Sequence, residues 1–207
     1  DYLVKPITRS RLASTLARVR DRLSHQSDVE RDLAAASVTQ AAMRPRAMPV
    51  IPGFEVAALT RAARGVGGDF FVTQKLAADR FVLALGDVAG KGMPAGLIAA
   101  SVQARLESLA LHGAGSASQI VANVNQTLCD ASETGRCATL IYLELNPLTK
   151  AVAVVNAGHL PALVMTPGAP PQRYASTAPA LGLLAAARFP VQHVEMTLGA
   201  TLLVISD

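Results

Sequence analysis

Apolar residues recur along the chain in two rhythms, a helical period and a strand alternation, and each predicts a different kind of element. Leu12, Leu16, Val19 and Leu23 follow spacings of four, three and four, the stripe of an amphipathic helix or a coiled-coil seam. Val29, Leu33, Ala36, Gln40 and Met43 repeat the rhythm, but the series starts six residues after Leu23 and is out of phase. Ser27-x-x-Glu30 at that break has the form of a capping box, which predicts a fresh helix starting near Asp28. Residues 44–53, bounded by Arg44-Pro45 and Pro52-Gly53, close the helical region. Ahead of it, residues 1–8 read as a strand ending at Lys5-Pro6, with Thr8 opening the first helix.

Strand patterns then take over. Residues 54–63 alternate enough to predict a strand, and Phe70-Phe71-Val72 and 81–85 predict two more, turning at Ala77-Ala78-Asp79. Residues 93–111 predict a helix with Pro94 in its first turn and His112-Gly113 at its end. Ser116 and Ser118 open a second helix whose apolar stripe is Ile120, Val121, Val124 and Leu128; Asn123 and Asn125 are expected on its surface. These two helices should cover one sheet. Residues 138–145 and 151–156 predict a hairpin around Asn146-Pro147, and 161–166 another strand. A Gly/Pro-rich loop at 167–172 and a loose segment at 174–189 lead to a closing hairpin, 191–198 with 201–205, around Gly199.

Composition bounds this picture without altering it. The 207 residues are 51% hydrophobic and 16% charged, enough for a full core and consistent with one domain plus a piece of another. The apolar runs are too short to cross a bilayer and no charged leader precedes a cleavage site, so a cytoplasmic protein without membrane attachment is expected. The net charge of +4 is mild and the basic residues concentrate before Arg46 on helix surface, which argues against a nucleic-acid partner. Cys129 and Cys137 form no metal or disulfide pattern and read as reduced thiols.

The chemistry concentrates between Gly65 and Gly96. Asp69 opens one apolar run and Asp87 closes another, so two strands deliver two carboxylates to one sheet end. Like charges held together repel, unless a divalent cation between them makes the clustering favourable. Three other readings meet the same residues. Gly90-Lys91 suggests a phosphate-cradling loop, but Gly92 stands where that motif needs a hydroxyl residue, and Gly86 is one residue too close. Gly67-Gly68-Asp69-Phe70-Phe71 echoes the diguanylate cyclase signature, with Phe70 where an acidic residue belongs. Ordinary Gly-Asp turns account for one pair more easily than for two at strand ends.

Gly67-Gly68-Asp69, the run Gly86-Asp87-Val88-Ala89-Gly90-Lys91-Gly92-x-Pro94-Ala95, Asn156-Ala157-Gly158-His159-x-Pro161 and Ser206-Asp207 together resemble the SpoIIE/RsbU-type metal-dependent (PPM) Ser/Thr phosphatases. The resemblance implies an α/β (α+β) fold, a four-layer α-β-β-α sandwich of two antiparallel sheets flanked by helices. It further implies two Mn²⁺ or Mg²⁺ ions, with Asp87 bridging both, the Val88 carbonyl adding a ligand, and Asp69 and Asp207 completing the cluster. Asp69 and Asp87 are thus the expected catalytic pair. One departure is Val72, where many members carry an acidic residue. Because the family continues past the Asp207 position with a further metal aspartate, the chain is expected to be a fragment.

Lys91 and Arg64 are candidates to meet a substrate phosphate, although a solvated surface role suits either cation. His159 reads as a hydrogen-bonding turn residue. Asp1-Tyr2-Leu3-Val4-Lys5-Pro6 resembles the last strand of a two-component receiver domain, in which Lys5 would contact a phosphorylated aspartate upstream. The expected organisation is therefore a receiver remnant at 1–24, a helical linker at 25–52 and a phosphatase domain at 53–207. The implied substrate is a phosphoserine or phosphothreonine on a small bacterial partner, typically an anti-sigma-factor antagonist, with a homodimer through the N-terminal helices. The rival expectation is a phosphatase-like adaptor that binds a sigma-factor regulator under receiver control without catalysis.

Overall fold

A computed structural model of the chain describes residues 8–60, 65–77, 79–113, 115–131 and 136–206. The expected N-terminal strand and Lys5, together with Arg64 and Asp207, lie outside the described residues.

Helix α1 (Arg9–Ala42) opens at Thr8, whose hydroxyl accepts the Arg11 N–H. It runs unbroken through Asp28, where a second helix was expected. No glycine or proline interrupts Arg9–Ala42, and the residues of the apparent capping box are used inside the helix. Gln26 donates to Glu30 at 3.1 Å and Arg31 pairs with Asp28 at 3.3 Å, the i,i+4 and i,i+3 contacts of a continuing helix.

Five strands form the larger antiparallel sheet, in the order β1-β2-β3-β4-β7: β1 (Phe70–Ala77), β2 (Arg80–Val88), β3 (Ala138–Asn146), β4 (Ala151–Ala157) and β7 (Gln192–Glu195). The smaller sheet has the order β6-β5-β8, from β5 (Ala162–Met165), β6 (Gln172–Tyr174) and β8 (Thr201–Leu203). Strand alternation sends side chains to two cores. Phe70, Val72, Val82, Leu140, Tyr142 and Val155 meet α2 (Met93–Leu111) and α3 (Ala117–Ala131) on one face. Phe81, Ile141, Leu143, Val152 and Val154 meet Ala162 and Val164 of the smaller sheet on the other. The order helix, sheet, sheet expected of the sandwich is therefore present, and α1 packs against α2.

Two expected elements differ. Residues 54–60 make no strand beyond an isolated bridge between Ile51 and Phe54. Their alternation reports burial, since Phe54 and Val56 pack into the inter-sheet core while Leu59 is exposed. The closing hairpin is also absent: β7 pairs with β4 and β8 with β5, so the chain crosses from one sheet to the other at 197–200. Val194 and Met196 enter the inter-sheet core before the crossing, and Leu202 and Val204 after it. Strand β6 falls in a stretch expected to be loop.

Inside the helix-covered core, Tyr142 Oη donates to Glu144 at 3.1 Å, and Arg80 holds the other carboxylate oxygen at 3.0 Å. Burial first, and then the Glu144 charge, push the Tyr142 phenol well above its ordinary value.

Candidate metal centre

The register of β1 on β2 positions the two acidic residues. Phe70 pairs with Gly86; one step further along the same antiparallel register, Asp69 falls opposite Asp87. Alternation turns both away from the helix-covered core, because their neighbours Phe70 and Val88 point into it. Asp87 also pairs with Thr139 on β3. Asp69 Oδ1 is buried and accepts no hydrogen bond from the described residues. A buried carboxylate oxygen in that position calls for a cation or a donor beyond the described residues.

Glycine makes the approach of the two strands possible. A Cβ on Gly68 would stand 2.5 Å from the Val88 carbonyl oxygen and 3.0 Å from Asp87 Oδ1, closer than real side chains come. The Val88 N–H in turn donates to the Gly68 carbonyl at 3.3 Å. Asp69, Asp87 and the Val88 carbonyl thus form a set of hard oxygen donors, the kind that suits Mg²⁺ or Mn²⁺. Among the described residues no third His, Cys, Asp or Glu joins them; the remaining expected ligand, Asp207, is not described. In the place where many relatives were expected to carry an acid, Val72 is buried against the helices.

A cavity of about 490 Å³ lies in front of the pair, and Gln40, Arg44, Thr60 and Lys91 are in its wall with Asp69 and Asp87. Helix α2 begins at this cavity, since Gly90, Lys91 and Gly92 also line it. Gly92, the N-cap, has a φ of 75° and no side chain caps the helix, which leaves its first amides to the cavity side. Lys91 is exposed at this rim.

Three residues of the site were not foreseen from sequence. Gln40 falls in an apolar rhythm, yet its carboxamide binds the Gly67 backbone twice, donating to the carbonyl at 2.7 Å and accepting from the N–H at 3.0 Å. Arg44 was read only as a helix terminator and Thr60 as part of a strand. The lone signal for Gln40 and Arg44 is that both fall at the predicted end of the first helical region; Gln40 is in the last turn of α1 and Arg44 just beyond its Met43 cap.

Behind the pair stands His159, buried, with its backbone N–H bonded to Asn156 Oδ1 at 2.9 Å. Its ring Nδ1 shares a 2.8 Å hydrogen bond with Thr139 Oγ1. Asn125, expected at the surface, is buried: it accepts the Gly182 N–H at 2.9 Å and donates to Leu184 O at 3.0 Å. Asn123 is exposed as expected.

This arrangement of sheets and helices is that of PP2C-type domains. The SiaA-PP2C domain of Pseudomonas aeruginosa superposes with a TM-score of 0.67 over 86% of this chain and 71% of its own, at 18% identity, a likeness of fold. The chain belongs to the SpoIIE family: the profile described as Stage II sporulation protein E (SpoIIE) matches residues 77–207. The phosphoserine phosphatase RsbU of Bacillus subtilis (strain 168) is 25% identical over 138 residues, covering 66% of this chain and 40% of RsbU. The RsbU and RsbW domains of Rv1364c from Mycobacterium tuberculosis give a TM-score of 0.63 at 28% identity, over 75% of this chain and 44% of that one. The chain therefore spans less than half the length of either relative. RsbX, solved in complex with magnesium, shares the fold at 16% identity with a TM-score of 0.57.

Proposed function

We propose that the protein is a metal-dependent serine/threonine phosphatase, hydrolysing a phosphoserine or phosphothreonine on a bacterial regulatory protein such as an anti-sigma-factor antagonist. The observation that carries this reading is that Asp69 and Asp87 line one cavity, with Asp69 Oδ1 buried and accepting no hydrogen bond from the described residues. Asp69, Asp87 and the Val88 carbonyl would hold two Mn²⁺ or Mg²⁺ ions, with Asp207 as a further ligand. When bound, such ions acidify a water and neutralise phosphoryl charge.

The chain's own residues account for the rest. Gly68 keeps the space beside Asp87 open, while Arg44 and Lys91 give the cavity two cations to meet phosphoryl oxygens, with Arg64 a third candidate. The uncapped start of α2 adds amide donors on the same side. Residues 1–24 are proposed to be the end of a receiver domain, with Lys5 its switch lysine, and 25–52 the linker to the domain at 53–207. Leu12, Leu16, Val19 and Leu23 are all exposed along α1, which supports a homodimer through this helix. No described helix is long and apolar enough to cross a membrane, and a cytoplasmic location without a nucleic-acid partner is proposed.

Asp87→Asn in the full-length protein tests the reading. Mn²⁺-dependent hydrolysis of a phosphoserine peptide is expected to fall by orders of magnitude with the fold intact by circular dichroism. A parent protein that hydrolyses nothing and whose melting temperature ignores Mn²⁺ would replace this reading with the non-catalytic adaptor.

A further inference from the structure

Among the described residues strand β1 is an edge strand, paired with β2 on one side only. Along a strand, successive residues turn their N–H and C=O to opposite sides. Just before β1, the Gly68 carbonyl faces inward and accepts the Val88 N–H at 3.3 Å. Gly67, one residue earlier, turns its two groups outward. There the Gln40 carboxamide meets both, at 2.7 Å and 3.0 Å, as a neighbouring strand would. The segment carrying Asp69 is thus held from both sides over two consecutive residues, and among the described residues the outer hold comes from α1.

A carboxamide suits this position because it offers one donor and one acceptor side by side. The site is also closely packed. A Cβ on Gly96 of α2 would collide with Val66 Cγ1 and come within 3.3 Å of Gln40 Nε2, so Gln40 is wedged between α2 and the glycine turn. Three residues on, Met43 closes α1, and its carbonyl accepts the Gln103 side chain of α2 at 2.9 Å. The end of α1 is fixed to α2 and to the glycine turn at once.

We propose that Gln40 is a positioning residue for the metal centre. By completing the hydrogen bonds of Gly67 it fixes the backbone that presents Asp69, and so sets how tightly the site holds a divalent cation. This rests on the metal-centre reading above and deepens it.

The test is Mn²⁺ affinity of the full-length protein, read as free Mn²⁺ by electron paramagnetic resonance, with no turnover involved. Gln40→Met keeps the side-chain length and helix preference and loses both hydrogen bonds; its Kd is expected to rise by about tenfold. Thr39→Ala, which removes only a bond to the α1 backbone at Ala35, should stay near the parent value. Gln40→Glu gives the sharpest contrast. It adds negative charge to the cavity wall, which by electrostatics alone tightens cation binding, but it also sets a carboxylate oxygen against the Gly67 carbonyl. Weaker binding in both Gln40 variants supports the proposal. A Gln40→Met Kd equal to the parent's, or tighter binding by Gln40→Glu, overturns it and leaves the metal centre standing. A parent that binds no Mn²⁺ overturns both.

Discussion

Thr139 and His159 share a hydrogen bond of 2.8 Å, and Thr139 is the β3 residue paired with Asp87. A buried histidine is therefore fixed to the strand position next to the proposed bridging carboxylate. Thr139→Val keeps the shape and removes the hydroxyl, and with it one hydrogen bond of a buried ring nitrogen. The expected loss is about 1–3 kcal/mol in urea unfolding of the metal-free protein. An unchanged unfolding midpoint would mean that the hydrogen bond adds nothing to the folded state.

Gly68→Ala makes a separate test, because its added methyl meets backbone and a carboxylate rather than a flexible side-chain end. The Val88 carbonyl at 2.5 Å and Asp87 Oδ1 at 3.0 Å both lie in its way. The strands must part at the point where Asp69 and Asp87 face each other. Expected is a loss of about 1–3 kcal/mol in stability together with a larger loss of Mn²⁺ affinity. Gly53→Ala, where a Cβ has open space but φ is 77°, should cost stability alone.

Tyr142 supplies a pH dependence. Its phenol is raised, first by burial and then by Glu144, so folding favours the neutral form. The linked stability is fully present below the ordinary phenol value of 10.0 and is lost as pH rises beyond it. Parent and Tyr142→Phe proteins compared in urea at about pH 8 and about pH 11 should therefore converge as the parent loses this contribution. A gap that stays constant between the two conditions would show that the Tyr142 phenol titrates alike in the folded and unfolded chain, and that folding does not raise it.

The sequence carried the sheet ends and their carboxylates because strand alternation and Gly-Asp pairs are local signals. What it could not carry depended on partners far along the chain. Gln40 looks apolar by rhythm, and its partner Gly67 is 27 residues away. Asn125 looks like surface polarity on α3, and its partner Gly182 is 57 residues away. Ser27-x-x-Glu30 failed for the opposite reason: a capping box and a pair of mid-helix contacts use the same residues, and without a Gly or Pro the helix continues. The closing strands were seen, but short separation suggested that they pair with each other. Burial from both sheets decides instead that each joins a different one.

The unbroken α1 gives the dimer proposal a definite geometry. On a continuous helix, Leu12, Leu16, Val19 and Leu23 share one face, and Leu16 and Leu23 are 59% and 61% exposed, so the chain's own domain does not cover them. Four such residues amount to fewer than the three or four heptads of a secure coiled coil, so association through α1 alone should be weak and concentration-dependent. In sedimentation velocity, the full-length parent is expected to shift from monomer toward dimer as concentration rises, and Leu16→Glu/Leu23→Glu to remain monomeric. Because both positions lie well before Gln40, the double variant should keep the parent's Mn²⁺ affinity at concentrations where both are monomeric. A parent that stays monomeric throughout would leave the stripe without a second copy as its partner. A dimer that survives both charges would place its contact elsewhere than on this face of α1.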